Sequence, residues 1–161
     1  MMLLVKLLIG AAMIAITVVI HAVACDTVFV FIENHAKGFA HIFKSFWKIV
    51  TLVVSIFMIG LALMIDIWLW TLLFYYLEPN VLGDIETALY FTTITFTTVG
   101  YGDVVLSPEW RLLSSSTAIN GMILFGWSTA FIFEIMTALY KPSNKNRMQY
   151  DRANDKPKND H

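Results

Sequence analysis

The sequence predicts an all-α membrane protein, with three membrane-crossing helices plus one re-entrant helix and loop in each chain. Three observations carry that prediction. Of the 161 residues, 58% are hydrophobic and only 14% charged, a balance that suits a small integral membrane protein and not a soluble domain. Apolar stretches recur three times, each long enough for the about 20 residues that a hydrocarbon core of roughly 30 Å demands. Between the second and third lies Thr97-Thr98-Val99-Gly100-Tyr101-Gly102-Asp103, polar and rich in glycine. An irregular backbone of this kind survives at membrane depth only when buried in protein or lining a water-filled path.

Taken in order, Leu3 to Ala24 forms the first span, interrupted only by Lys6 and His21. A cleaved leader is the competing reading, because Ala22-Val23-Ala24 fits a small-residue cleavage pattern and Cys25 a weak lipoprotein-like one. Residues 1–35 are assigned to this helix and its connector. Over 36–48 two stripes appear at helical spacing: Phe39, Ile42, Phe43, Phe46 and Trp47 against Lys37, His41, Lys44 and Lys48. The expected element is a separate helix in the membrane plane, with Lys37, Lys44 and Lys48 toward anionic lipid headgroups.

Ile49 to Leu77 is the second span, and Trp68, Trp70, Phe74, Tyr75 and Tyr76 at its far end read as an interfacial aromatic belt. Asp66 lies inside it and needs a partner in protein or water. A partner on the third span and a locally hydrogen-bonded structural aspartate are both open. Glu78-Pro79-Asn80 ends the helix and 81–84 form a surface turn. Asp84 can then cap a short helix over 85–97, with Glu86 in its first turn. Leu112 to Tyr140 is the last span, and 141–161, opened by Pro142, form a polar tail expected to be disordered.

The central loop has a chemistry of its own. Gly100 and Gly102 tolerate positive φ, so alternating left- and right-handed residues can turn successive carbonyls to one side. That produces a ladder of neutral oxygens, the ligands a hard cation such as potassium prefers, with the Thr98 hydroxyl available at the inner end. Val99 and Tyr101 are expected to point away and pack the loop from behind. One loop is one side of a cage, so several copies must surround an axis.

The pentapeptide Thr98-Val99-Gly100-Tyr101-Gly102 resembles the selectivity-filter signature of potassium channels. The resemblance extends to the short helix leading into it, to Asp103 after it and to the flanking spans. It implies a pore domain over 49–140: outer helix 49–77, pore helix 85–97, filter 98–102 and inner helix 112–140. It further implies a tetrameric potassium channel pore that conducts K+ passively, with the carbonyls of 98–102 replacing the ion's hydration shell. By the same resemblance Asp103 marks the outer mouth and Gly121 stands where many family members place an inner-helix hinge. Met122, Phe125, Thr129, Phe133 and Thr137 then line the cavity and inner mouth, with Glu134 at the cytoplasmic entrance. The stretch 36–48 resembles a slide helix. One departure is visible at Ile94, where some members carry an acid that pairs with the aspartate after the filter. Asp103 must find another partner here, Tyr90 or water.

Charge and composition set the remaining expectations. Lys37, Lys44, Lys48 and six basic residues of the tail fall on the proposed inner side, against Lys6 and Arg111 outside. The positive-inside rule therefore agrees with an outer filter, an outer N-terminus and a cytoplasmic C-terminus, in the plasma (cell inner) membrane. Cys25 is the single cysteine, which excludes an intrachain disulfide or a thiolate metal cage within one subunit. No nucleotide-binding, zinc or hydrolase motif stands out, so no enzyme is expected. K+ is the permeant ion, without an organic cofactor. The partners are membrane lipid and identical subunits in a homotetramer, with no nucleic acid and no small-molecule substrate. A non-conducting accessory or scaffold membrane protein is the alternative, and it has no need of Gly100 and Gly102.

Overall fold

The computed structural model describes residues 2–43 and 46–140, with side chains described over 3–34 and 46–140. The chain forms α1 (Met2–Phe43), α2 (Trp47–Leu77), α3 (Pro79–Leu82), α4 (Ile85–Phe96) and α5 (Arg111–Tyr140). Three stretches are long and apolar enough to cross a membrane: Leu3–Asn34, Trp47–Leu77 and Arg111–Tyr140, the last being the least apolar.

The long helices pack as a bundle in which α1 touches both α2 and α5. Their register follows from the buried pairs. Thr17 and His21 of α1 meet Asn120 and Ser128 of α5, at near-constant offsets of 103 and 107 residues, so α1 and α5 run in the same direction. His21 meets Asp66 while Val28 clusters with Ile59, so α1 and α2 run in opposite directions. Lys6 stands 5.7 Å from the Trp110 ring at one end, and Lys48 stands 4.8 Å from the Tyr140 ring at the other.

Each span buries a face of mixed apolar and polar residues against its neighbours and leaves large apolar side chains exposed, as helices bathed in lipid do. Thr51, Ser55, Thr71 and Thr117 lie on the buried faces and return their hydroxyls to the carbonyl four residues back, at 2.7 to 3.1 Å. Hydroxyls satisfied in this way cost a membrane helix little, because no polar group is left facing hydrocarbon.

The short α4 wedges between α2 and α5 at one end of the bundle, and the larger core forms there. Trp70 and Phe74 of α2, Phe91 and Phe96 of α4 and Leu124 of α5 meet in it. The Phe74 and Phe91 rings cross at 79° with centroids 5.3 Å apart, an edge-to-face contact. This corrects the expected aromatic belt. Trp68 and Tyr76 remain exposed, but Trp70 and Phe74 are fully buried, because α4 covers the face they occupy.

One further expectation changes at the first helix. The in-plane helix over 36–48 is not a separate element: α1 runs unbroken to Phe43 and α2 begins at Trp47. Nothing in 24–43 stops a helix, since Gly38 alone costs only about 1 kcal/mol relative to alanine. The Lys37 and Lys44 side chains lie outside the described residues.

Candidate functional site

The site is built on α4 and the loop that follows it. Asp84 sits at the N-cap in an extended conformation and accepts from the Thr87 amide at 2.8 Å and from the Thr87 hydroxyl at 3.0 Å. The Thr87 amide holds the Asp84 carboxyl below the usual carboxylate range. This capped end carries positive partial charge, so the opposite end, at Phe96, carries the negative. The loop leaves from that negative end.

Its amides turn back onto α4. Thr97 donates to the Thr93 carbonyl, Thr98 to Thr95 and Gly100 to Ile94, each at 3.0 Å. Among the described residues no carbonyl from Thr98 to Gly102 accepts a hydrogen bond, so the acceptors remain free while the Thr98 and Gly100 amides are spent on α4. Backbone handedness alternates: φ is 61° at Thr98, 53° at Gly100 and 78° at Gly102, with Val99 and Tyr101 in ordinary conformations between them. A β-branched threonine at positive φ is an outlier that costs about 1–3 kcal/mol and persists only when its surroundings over-determine it. Sequence reasoning expected left-handed residues at the two glycines; the structure adds Thr98 to the series.

The expected packing of Val99 and Tyr101 behind the loop is absent within one chain. They are 54% and 74% exposed. Asp103 follows, and Tyr90 donates to it at 2.7 Å, the partner that Ile94 cannot supply. That hydrogen bond is the main reason the Asp103 carboxyl lies below the ordinary carboxylate range, and it pushes the Tyr90 phenol up. Beyond it, Ser107 donates to the Glu78 carboxylate, tying the loop that precedes α5 to the end of α2.

The Tyr90–Asp103 brace has a pH consequence with a definite sign. A folded-state carboxyl that titrates below its unfolded value contributes stability above the unfolded pKa, and loses it as pH falls through the folded one. Tyr90→Phe removes the largest cause of the depression. Stability in detergent measured against pH should then show its acid-side fall displaced toward neutral relative to the unmodified protein; an unchanged midpoint would mean that the Tyr90 hydrogen bond does not set the titration of Asp103.

The residues expected on the inner helix separate by face. Met122, Phe125, Thr129, Phe133, Glu134 and Thr137 are exposed, while Leu113, Thr117, Asn120, Leu124 and Ser128 are buried against the other helices. Phe125 also meets Phe96 edge-on, with centroids 5.8 Å apart. Phe133, Glu134, Thr137 and Ala138 line an open cleft of about 400 Å³. Gly121 is buried against the end of α4, where an added Cβ would stand 1.9 Å from the Phe96 carbonyl oxygen. Its immediate role is thus close approach of α5 to the start of the loop. Gly126 has open space around it.

A buried polar core lies behind this face. His21 Nδ1 is 3.0 Å from Asp66 Oδ2, and Nε2 is 3.0 Å from Ser128 Oγ. One turn away Asn120 donates to the Thr17 hydroxyl at 2.7 Å. The partner of Asp66 is thus on the first helix, with the third span reached through it. Sequence reasoning noted His21 only as a polar interruption. The available signal was the coexistence of two ionisable groups in separate spans, which lipid would drive together.

The family described as ion channel matches residues 62–138, just under half of the chain. The matched stretch runs from the middle of α2 through α4 and the loop to the end of α5. Among curated proteins, two-pore potassium channel 1 of Arabidopsis thaliana is 43% identical over 61 residues, which is 35% of this chain and 17% of that protein's length. No solved structure matches. An ion-channel domain in a chain with three long apolar helices defines a membrane transport protein and not an enzyme. The two matches support a potassium-channel type of family for the chain.

Proposed function

We propose that the protein is a potassium-selective channel in which four identical subunits place their 98–102 loops around one axis. The observation that carries this reading is the alternation of positive φ at Thr98, Gly100 and Gly102, with the Thr98 and Gly100 amides bonded to α4 and the loop's carbonyls uncommitted. Four such loops form stacked rings of oxygens. An ion sheds water for these rings, occupies neighbouring sites and moves by mutual repulsion. The exposed Val99, Tyr101, Met122 and Phe133 find cover in this assembly, at subunit contacts or along the axis. Thr129, Thr137 and Phe125 line the cavity with them, and Glu134 attracts cations at its entrance.

In this arrangement the loop faces outside and both Lys6 and Trp110 lie at the outer end, with the N-terminus outside and the C-terminus cytoplasmic in the plasma membrane. Lys48 rests on the Tyr140 ring at the inner end, and Lys37, Lys44 and Lys48 are assigned to anionic lipid headgroups from the sequence.

Purified protein in liposomes should pass potassium and rubidium, exclude sodium and be blocked by barium. Equal leak of sodium and potassium from intact tetramers, or a protein that stays monomeric in mild detergent, would overturn the reading in favour of a non-conducting scaffold. Running the same assay in neutral and anionic bilayers separates the lysines from the pore, since only the lysine role predicts a difference between them.

A further inference from the structure

The middle of the bundle joins three helices through side chains, and one of those helices lies outside the matched ion-channel stretch. His21 and Asp66 are fully buried and Ser128 nearly so. The Ser128 hydroxyl donates to the Leu124 carbonyl at 2.7 Å. Its oxygen is therefore the acceptor toward His21, and Nε2 carries a proton and donates. On the other side of the ring, one proton lies between Nδ1 and Asp66 Oδ2, and the pair is neutral overall whichever atom holds it. Two buried groups that pair this way avoid the cost of a lone charge at membrane depth.

Little else near the pair can titrate. From α1, Cys25 is one turn along and buried; from α2, Asp66 is itself the partner; from α5, Glu134 is more than a turn beyond Ser128 and exposed. The Trp127 ring stands 6.0 Å from the His21 ring, at 63° to it. Ser128 is adjacent to Thr129 on α5, so whatever fixes Ser128 on the buried face also fixes the exposed residues assigned to the cavity.

We propose that His21 is a positioning residue of the pore: through Ser128 it sets where α5 stands, and the proton it shares with Asp66 makes that position respond to acidity. This rests on the conducting-pore reading above. Adding a proton to the Asp66 carboxylate leaves the imidazolium without a counter-charge at membrane depth. The contact between Nδ1 and Asp66 then parts, and the ring, whose Nε2 still donates to Ser128, carries α5 with it as it leaves α2.

The experiment is single-channel recording of the full chain in bilayers from neutral to mildly acidic pH, on the unmodified protein and on Ser128→Ala, His21→Ala and Asp66→Asn. Asparagine at 66 offers an N–H to Nδ1 and leaves Nε2 donating to Ser128, so it keeps both hydrogen bonds without the shared proton. Ser128→Ala and His21→Ala should each change open probability by roughly fivefold or more, the lower end of typical coupling between sites. The double variant should add nothing further. Asp66→Asn should keep the neutral-pH open probability and lose its dependence on acid. Unmodified open probability in Ser128→Ala, or an unmodified acid response in Asp66→Asn, overturns the proposal while leaving the pore intact. If the unmodified protein passes no potassium, the pore reading fails and takes this one with it. Should His21→Ala fail to assemble, Ser128→Ala and Asp66→Asn still decide the matter, because both leave α1 bonded to α2.

Discussion

Replacing Gly100 or Gly102 by alanine is expected to abolish discrimination between potassium and sodium while leaving helix content and subunit assembly intact. Neither glycine has any atom within 4 Å of the place where a Cβ would stand, so bulk is not the obstacle. Handedness is. At φ of 53° and 78° an L side chain is held in the left-handed region, at about 1–2 kcal/mol per residue. The loop already carries one such penalty at Thr98. In a fourfold assembly an added penalty is met four times around one axis, and the least costly escape is to flip the peptide and turn its carbonyl away. Flux of each ion should be measured on protein shown to be assembled. A variant that assembles and still excludes sodium would show that the carbonyl ladder is not the selective element.

Gly121→Ala should act differently, on the fold before the flux. Its Cβ would lie 1.9 Å from the Phe96 oxygen and 2.8 Å from the Phe96 carbonyl carbon, both backbone atoms at the base of the loop. Side chains cannot swing aside to relieve that contact, so α5 and α4 must separate. Overpacking of this kind typically costs about 1–3 kcal/mol, and more where backbone must move. Thermal unfolding in detergent should show a clear loss of stability or of the assembled species. Gly126→Ala is the control, with nothing near its added methyl, and should be close to neutral. If Gly121→Ala assembles with unchanged stability and only its gating differs, the hinge role suggested by resemblance describes Gly121 better than the packing role does.

What the sequence made legible was local. The spacing of Gly100 and Gly102 foretold two of the left-handed positions, because tolerance of positive φ belongs to glycine itself, whereas Thr98 is held there by its surroundings. Asp84 and its helix were legible for the same reason, since an N-cap and the residues it serves lie within one turn. Tyr90 could be weighed as the partner of Asp103 because the missing acid at Ile94 left a specific vacancy to fill. Properties that depend on register between helices were not legible. The stripes over 36–48 fix a helical period but not whether that helix is new or a continuation, and the backbone carries α1 through to Phe43. An aromatic-rich helix end reads as interfacial until α4 is known to cover Trp70 and Phe74. His21 and Asp66 could be paired only once α1 and α2 were known to run antiparallel with those two at one level.

The bond from Asn120 to Thr17 also bears on how the chain enters its membrane. α5 is the least apolar of the three spans and brings a buried amide with it, while the hydroxyl that receives this amide was synthesised 103 residues earlier. Lipid offers the amide nothing in exchange for water, whereas a hairpin of α1 and α2 already in the bilayer offers an oxygen at the matching depth. The order of helices along the polypeptide is therefore also the order in which each newcomer finds its receptor waiting.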